Sequence, residues 1–348
     1  MKKLLCAIVF CIFVLCGCSG AKELEELAYV IAIGIDEGEN DKLNVTFVTA
    51  IPSNISSESG NGKPVSCITV ESENVLSASV SAGGKMNRNI DFSHCRLIAF
   101  NENIAIKGLG KFKKTLLNEK SFRPDTLISV IKGKTSDFFN NSSSAFETNP
   151  AKYFELMFGS QGSKNAVSCT IKDFSGGNQS ILPLADKEGV NSCVIINNDR
   201  LAAVLPENKV AIYKLLSGKK FQSYMDFEND EAVLFISREK APEIKVDTKN
   251  NLKVTVTLYL NGELIAENKK LSHNKYTENI KAQCENFLEY TSKELKCDIL
   301  NITRLTRPHF FTVSDYEKYN PTKKYERAEF DVKIVYSDLK TGERNLKL

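Results

Sequence analysis

The sequence predicts an α+β fold, arranged as three mixed α/β domains behind a cleaved export signal. Three observations carry this. Segments such as AYVIAIGI (28–35) and KVTVTLYL (253–260) have the continuous or alternating β-branched character of buried and half-buried strands. Ile280, Cys284, Phe287, Leu288, Thr291 and Leu295 recur at three- and four-residue steps, the stripe of a helix laid on a sheet. Strands alternate with helices through the first half of the chain, whereas the C-terminal part is richer in strand signals.

The first element is the export segment. Lys2 and Lys3 precede an apolar run at 4–14, which is 11 residues and well short of the ~20 a membrane-crossing helix needs. Leu15-Cys16-Gly17-Cys18 follows, the layout of a signal peptide ending in small residues. It also resembles the bacterial lipobox, in which a small residue precedes the cysteine that receives diacylglycerol. Cleavage between Gly17 and Cys18 removes residues 1–17 and leaves Cys18 as the lipid-bearing first residue. Residues 19–26 are a short polar tether.

The first domain is placed at 18–185. Residues 28–35 and 43–51 form a hairpin around the acidic turn DEGEND (36–41), and 52–64 is a loop rich in Ser, Asn and Gly. Residues 67–71 extend, and 74–85 forms a helix ending at Gly83-Gly84. Strand pattern at 91–100 (DFSHCRLIAF), an amphipathic helix at 101–117, a strand at 126–132 and a helix starting at 136–139 complete the domain. The glycine-rich stretch 173–180 reads as an exposed break. A small ββα middle domain is expected at 186–231, with strands at 190–197 and 200–205 around the turn Asn198-Asp199, then a helix opened by Pro206-Glu207 and closed by Gly218. The last domain, 232–348, holds a sheet, the long helix 277–297 and a closing strand at 325–336.

Composition narrows the function. The formal charge is +3, or +1 once Lys2 and Lys3 are removed, so no strong field favours nucleic acid. Of ten cysteines, Cys6, Cys11 and Cys16 fall in the discarded signal. The remaining seven are scattered without a CxxC pair, which argues against zinc and against a dense disulfide framework. Isolated buried thiols are the default, with one disulfide left open. Cys284 and Cys297 share a helix, about 20 Å apart at 1.5 Å per residue, too far to bridge.

No catalytic constellation emerges. His94 beside Cys95 invites a Cys-His nucleophile, but in a strand their side chains point to opposite faces. His273 and His309 have no partner at recognisable spacing, and GxSxG, P-loop and GxGxxG motifs are missing, so no cofactor is expected. The acidic turn lacks the spacing and terminal Glu of a calcium loop.

The assembled residues resemble the Ger(x)C spore germination lipoproteins, the C subunits of nutrient germinant receptors. Glu23-Leu24-Glu25-Glu26-Leu27-Ala28 and Ile33-Gly34-Ile35-Asp36 are similar to the family's opening "ELxELAxVxxIGID". Asp91-Phe92-Ser93-His94 resembles its "SHxxxIIxGE" segment, residues 105–108 its "AxxGI" continuation, and Asn198-Asp199-Arg200-Leu201 its "AVFKxDKLVGWL" stretch. Cys297-Asp298-Ile299-Leu300 is similar to its "xDILG". Departures are Ser19 where the family has Trp after the lipid cysteine, Asn301 where it has Gly, and the lack of any Trp. The resemblance implies a non-enzymatic three-domain protein, anchored by lipid at Cys18 to the outer face of the spore inner membrane. It also implies two integral-membrane partners, the A-type and B-type receptor subunits. The competing class is a solute-binding lipoprotein of an importer, which predicts two similar α/β lobes around a cleft of aromatic and charged residues. The unequal segments speak against it.

Overall fold

The computed structural model describes residues 26–51, 65–142, 147, 149–159, 167–218, 221–227, 232–267 and 273–341. Cys18 with the export segment, and the loop expected at 52–64, lie outside the described residues. Among those residues no helix is long and apolar enough to cross a membrane.

The architecture is α+β, built on two sheets. Strand β1 (Leu27–Glu37) is buried along almost its whole length, as its unbroken apolar run requires. It pairs antiparallel with β2 (Leu43–Ala50), which pairs with β3 (Val65–Ser72). On the other side β1 runs parallel to β4 (Asn89–Asp91) and to β5 (Leu97–Asn101), followed in parallel by β6 (Leu127–Ile131) and β7 (Gln179–Asp186). Antiparallel β8 (Gly189–Asn197) and β9 (Arg200–Leu205) finish a nine-stranded mixed sheet in the order β3-β2-β1-β5-β6-β7-β8-β9. The sheet is therefore hydrogen-bonded continuously across residue 185, where the sequence suggested a change of domain.

Helices cover both faces. One face carries α1 (Val75–Met86), α2 (Glu102–Lys107), α3 (Gly110–Asn118) and α6 (Ile171–Ser175), whose Ala82, Ile104, Phe112 and Phe174 join Ile33, Phe47 and Phe100 in one core. The other carries α4 (Thr135–Asn141), α5 (Pro150–Phe158) and α7 (Glu207–Leu216). Its core of Phe139, Phe154, Phe158, Val210 and Leu215 continues without a break into the second sheet through Phe221, Leu234 and Leu258.

The second sheet has five strands. Its centre is β13 (Lys253–Glu267), paired antiparallel with β11 (Ala232–Arg238) and β12 (Glu243–Asp247) and parallel with β14 (Glu329–Thr341); β10 (Gln222–Phe227) lies outside β11. Helix α8 (His273–Glu289) packs on β14 and buries Ile280, Cys284, Phe287 and Leu288 to 3% exposure or less. A π-helical turn (Tyr290–Glu294) extends it, and a 3-10 helix (Ile302–His309), α9 (Val313–Tyr319) and α10 (Pro321–Tyr325) lead into β14.

Local expectations need correction at several points. The helix expected at 277–297 stops short: α8 ends at Glu289 and the π turn at Glu294, so Cys297 lies beyond both and does not share a helix with Cys284. Residues 91–100 are not one strand: the Asp91 carboxylate accepts from the Ser93 backbone N–H at 2.9 Å, and Cys95 N–H donates to the Phe92 carbonyl at 2.9 Å, so an Asx turn separates β4 from β5. The helix expected at 101–117 is broken into α2 and α3 at Gly108, whose φ of 135° is not helical. Helix α1 runs through Gly83-Gly84 and ends at Asn87 in the left-handed region. There Gly83 lets the returning chain close in, since a Cβ would lie 2.8 Å from the Arg88 carbonyl oxygen. Finally, the stretch from 173 is exposed at Asp173 and at 176–178 but is not a break between domains, because Phe174 is fully buried and β7 begins at Gln179.

Candidate functional site

Three groups of the residues that carry the sequence resemblance form joints between elements. At the first, Gly34 and Asp36 of β1 meet the start of α4. A Cβ on Gly34 would lie 2.8 Å from Thr135 Cβ and 2.9 Å from the Phe139 ring, so only glycine admits the helix this close. The Asp36 carboxylate, 6% exposed, accepts from Thr135 N at 2.8 Å, Thr135 Oγ1 at 2.7 Å and Ser136 N at 3.3 Å. Lys134 makes no side-chain cap, so Asp36 satisfies the orphan donors of the helix from a strand 99 residues away in sequence.

At the second joint, Asn198 (φ 49°) and Asp199 (φ 64°) form the tight turn between β8 and β9, both left-handed as such hairpins require. The turn plugs the break between α2 and α3. Leu109 N–H donates to the Asp199 carbonyl at 2.6 Å, and Lys113 Nζ lies 2.5 Å from the Asp199 carboxylate. Gly110 leaves room for that carboxylate, which would sit 2.6 Å from a Cβ there.

At the third joint, the Asp298 carboxylate accepts from Ile302 N at 2.9 Å and from Thr303 N and Oγ1 at 2.7 Å, seating the 3-10 helix. Burial pushes this carboxyl above its usual range, against the pull of those same donors. Asn301 sits at φ 56°, a left-handed conformation that glycine and asparagine share. Beside it the Tyr325 hydroxyl lies 3.0 Å from Thr291 Oγ1 in the buried turn after α8.

Among the described residues the thiols and histidines form no reactive pair. Cys67, Cys95, Cys169, Cys193, Cys284 and Cys297 are in no disulfide. Burial pushes the Cys95, Cys284 and Cys297 thiols up to about 12, which keeps them protonated and inert. His94 and Cys95 do diverge, but in a turn: His94 is exposed, edge-on to Tyr29 at 5.1 Å, while the Cys95 thiol donates inward to the Leu97 carbonyl. Among the described residues no three His, Cys, Asp or Glu side chains stand close enough to hold a metal ion.

A cleft opens where the two sheets join. It holds about 940 Å³ between α7, β10 and the end of α8, a size in the range of ligand sites. Its walls carry the carboxamides Asn208, Gln283 and Asn286, the carboxylates Glu207 and Glu294, and the rings of Tyr224 and Tyr290. Lys209 Nζ lies 3.7 Å from the Tyr290 ring centroid. These groups can hydrogen-bond and stack on a bound molecule; the Ser223 hydroxyl beside them donates to the Tyr224 carbonyl at 3.2 Å, and no histidine is among the lining residues. Sequence reasoning missed this cleft, because its residues converge from three separated segments. At the other end of α7, Arg238 of β11 donates to the Lys214 and Leu215 carbonyls at 2.9 and 2.7 Å and also to the Ser217 carbonyl. The guanidinium thus caps the C-terminus of α7 and ties the second sheet to the first.

Known proteins match along nearly the whole chain. A family profile described as the spore germination protein N-terminal domain matches residues 20–181, and one described as spore germination B3/GerAC like, C-terminal, matches residues 191–337. The chain belongs to the GerAC-like spore germination family. Spore germination protein A3 of Bacillus subtilis (strain 168) is 22% identical over 281 residues, covering 75% of this chain and 73% of that protein. Spore germination protein KC of the same strain is 33% identical over 144 residues, 39% of this chain and 35% of that one. The crystal structure of the GerBC protein superposes with a TM-score of 0.56 at 13% identity, covering 88% of this chain and 96% of that chain. At that identity the superposition speaks for the fold. The GerAC-like family assignment agrees with the resemblance carried by the three joints, and each joint is a packing device.

Proposed function

We propose that this protein is the lipoprotein C subunit of a spore nutrient germinant receptor, acting in receptor assembly and germination signalling without catalysis. The observation that carries the reading is the match to both halves of the GerAC-like family, together spanning residues 20–337. The buried, protonated thiols support a non-enzymatic role. In this reading Cys18 carries the lipid, holding the folded part at the outer face of the spore inner membrane beside A-type and B-type integral-membrane subunits. Two acyl chains suffice for stable anchoring at ~0.8 kcal/mol per buried CH₂. Tethering raises the effective concentration of a weak interface against membrane-bound partners.

The test is deletion combined with co-purification. Spores without the gene are expected to lose germination through one nutrient pathway while answering stimuli that bypass receptors, and pull-down from spore membranes is expected to recover the two integral subunits. Cys18→Ala protein is expected to leave the membrane fraction when those partners are absent. The solute-binding alternative retains the cleft as its one supporting feature, although a nine-stranded and a five-stranded sheet are not two similar lobes. Recovery of a permease and ATPase in place of the two subunits would favour it.

A further inference from the structure

The segment between the 3-10 helix and α9 displays an apolar tip on a folded support. Phe311 is fully exposed, at 104%, and Val313 at 58% and Leu305 at 41% lie close to it in the chain. A single exposed apolar side chain is ordinary, whereas several grouped in one short segment are a candidate contact surface. The support is rigid on each side. Phe310 packs against Tyr316 and Tyr319 at centroid distances of 5.8 and 4.8 Å, and Arg307 donates to the Phe310 carbonyl at 2.8 Å. Thr312 then caps α9 by accepting from Asp315 N–H at 3.0 Å. Phe311 is thus held outward between two anchored neighbours.

The surrounding charge selects the occupant. Residues 301–327 carry Arg304, Arg307, Lys318, Lys323, Lys324 and Arg327 against Asp315, Glu317 and Glu326, a formal +3, with exposed His309 in addition. Asp315 is engaged at the cap, its carboxylate accepting from the Thr312 hydroxyl. Arg307 and Lys324 are likewise engaged, by the Phe310 and Asn250 carbonyls, which leaves Arg304, Lys318, Lys323 and Arg327 as the exposed cations of the segment. Exposed apolar side chains on a segment with a cationic excess suit the interface of an anionic bilayer, where the rings enter the headgroup boundary and the cations meet lipid phosphates.

We propose that the tip around Phe311 inserts into the surface of an anionic phospholipid bilayer and sets the orientation of the folded part. The idea rests on the lipid-anchored reading above. A tether of eight residues, 19–26, reaches up to about 26–29 Å and by itself leaves the protein free to roll. The tether joins the first sheet at β1 and the tip belongs to the second, so two separate contacts would fix the pose.

The chain contains no tryptophan, so Phe311→Trp introduces a single reporter. The experiment reconstitutes the full-length lipidated protein in phosphatidylglycerol-containing and in pure phosphatidylcholine vesicles, with and without brominated acyl chains. Val204→Trp, at an exposed position on β9 (50%), is the control. In anionic vesicles the indole at position 311 is expected to shift its emission to shorter wavelength, to be quenched by brominated chains and to resist aqueous acrylamide. That response should weaken in phosphatidylcholine, at high salt, and in Phe311→Trp protein also carrying Arg304→Glu and Lys323→Glu; the control should stay aqueous throughout. An indole at 311 that stays open to acrylamide on protein co-floating with anionic vesicles overturns the proposal and leaves the anchor reading intact. Protein that does not float with vesicles overturns both. Shielding seen only with the integral-membrane subunits present would assign the tip to a protein partner and overturn the lipid contact.

Discussion

Replacing Asp36 tests whether one carboxylate holds a helix onto the central strand. In Asp36→Ala, Thr135, itself 0% exposed, loses the acceptor for both its backbone N–H and its hydroxyl. A buried donor left unpaired costs about 1–3 kcal/mol, and loss of a helix cap about 1 kcal/mol. Ser136 is half-buried and can turn to water, so its share is small. The expected loss is about 3 kcal/mol. For a unit of 150–250 residues each kcal/mol lowers Tm by about 2–4 °C, so Tm should fall by about 6–12 °C. Asp36→Asn keeps one acceptor of the same shape and sacrifices only charge assistance, about 1 kcal/mol. The assay is thermal and urea unfolding followed by circular dichroism, run as a double-mutant cycle with Thr135→Val. Coupling is expected: once Asp36 is Ala, removing the Thr135 hydroxyl should cost less than in the parent. If Asp36→Ala shifts stability by under about 0.5 kcal/mol, the size of a neutral surface change, or if the two changes add, the carboxylate does not hold α4 and the joint has been misread.

Other consequences follow from burial. Thiol reagents at neutral pH should modify half-buried Cys67 first and reach Cys95, Cys284 and Cys297 only on unfolding, as mass spectrometry of timed alkylation would show. Those three thiols rise from 9.0 to about 12 in the fold, and burial raises Tyr213 and Tyr325 as well. Above pH 9 the unfolded chain therefore releases protons that the native state keeps; stability is full below that pH and should decline from 9 towards 12, by about 1.4 kcal/mol per pH unit for each such group, visible in Tm against pH. Phe287, 3% exposed on α8, should cost ~3–5 kcal/mol when cut to Ala, and a melting temperature indifferent to that change would contradict its place in the core.

Much of the fold was legible because it rests on local periodicity. The hairpin of β1 and β2, strand β6 and helix α7 follow from period-2 and period-3.6 patterns that packing did not override, and α8 follows its pattern only as far as Glu289, where a π turn takes over. One error falls where a single polar side chain decides the backbone. Asp91 turned an apparent strand into a strand, a turn and a strand, through a bond to a neighbour two residues on. Helix α5 carried a readable signal, Asn149 capping with Pro150 in its first turn, but its single clear turn of apolar residues was too short to stand out. Strand β7 was hidden by Gly176-Gly177, which punctuate the chain without ending the sheet.

The candidate sites were less legible for a different reason. Catalytic chemistry fixes residue types, so a sequence can be searched for them; a contact surface fixes only shape and charge. Phe310 and Phe311 are adjacent and identical in type, yet one packs against Tyr316 and Tyr319 and the other faces solvent. Nothing in the pair itself says which. The cleft likewise draws Lys209, Tyr224 and Tyr290 from three segments whose meeting depends on the joint at Arg238. The resemblance was recognisable because it lies in positions of the opposite kind. Gly34, Asp36, Gly108, Asp199 and Asp298 each answer a backbone demand that few residues can meet, so they stay readable whatever surface the protein uses. Asn301 makes the point by exception: it departs from the family's glycine while holding the left-handed conformation that glycine would supply. What the motif specifies there is a conformation. A substitution such as Asn301→Gly should therefore be nearly neutral, whereas Asn301→Val, β-branched at φ 56°, should destabilise the seat of the 3-10 helix by about 1–2 kcal/mol. Equal stability of the two variants in urea unfolding would show that some other property of the position is being held.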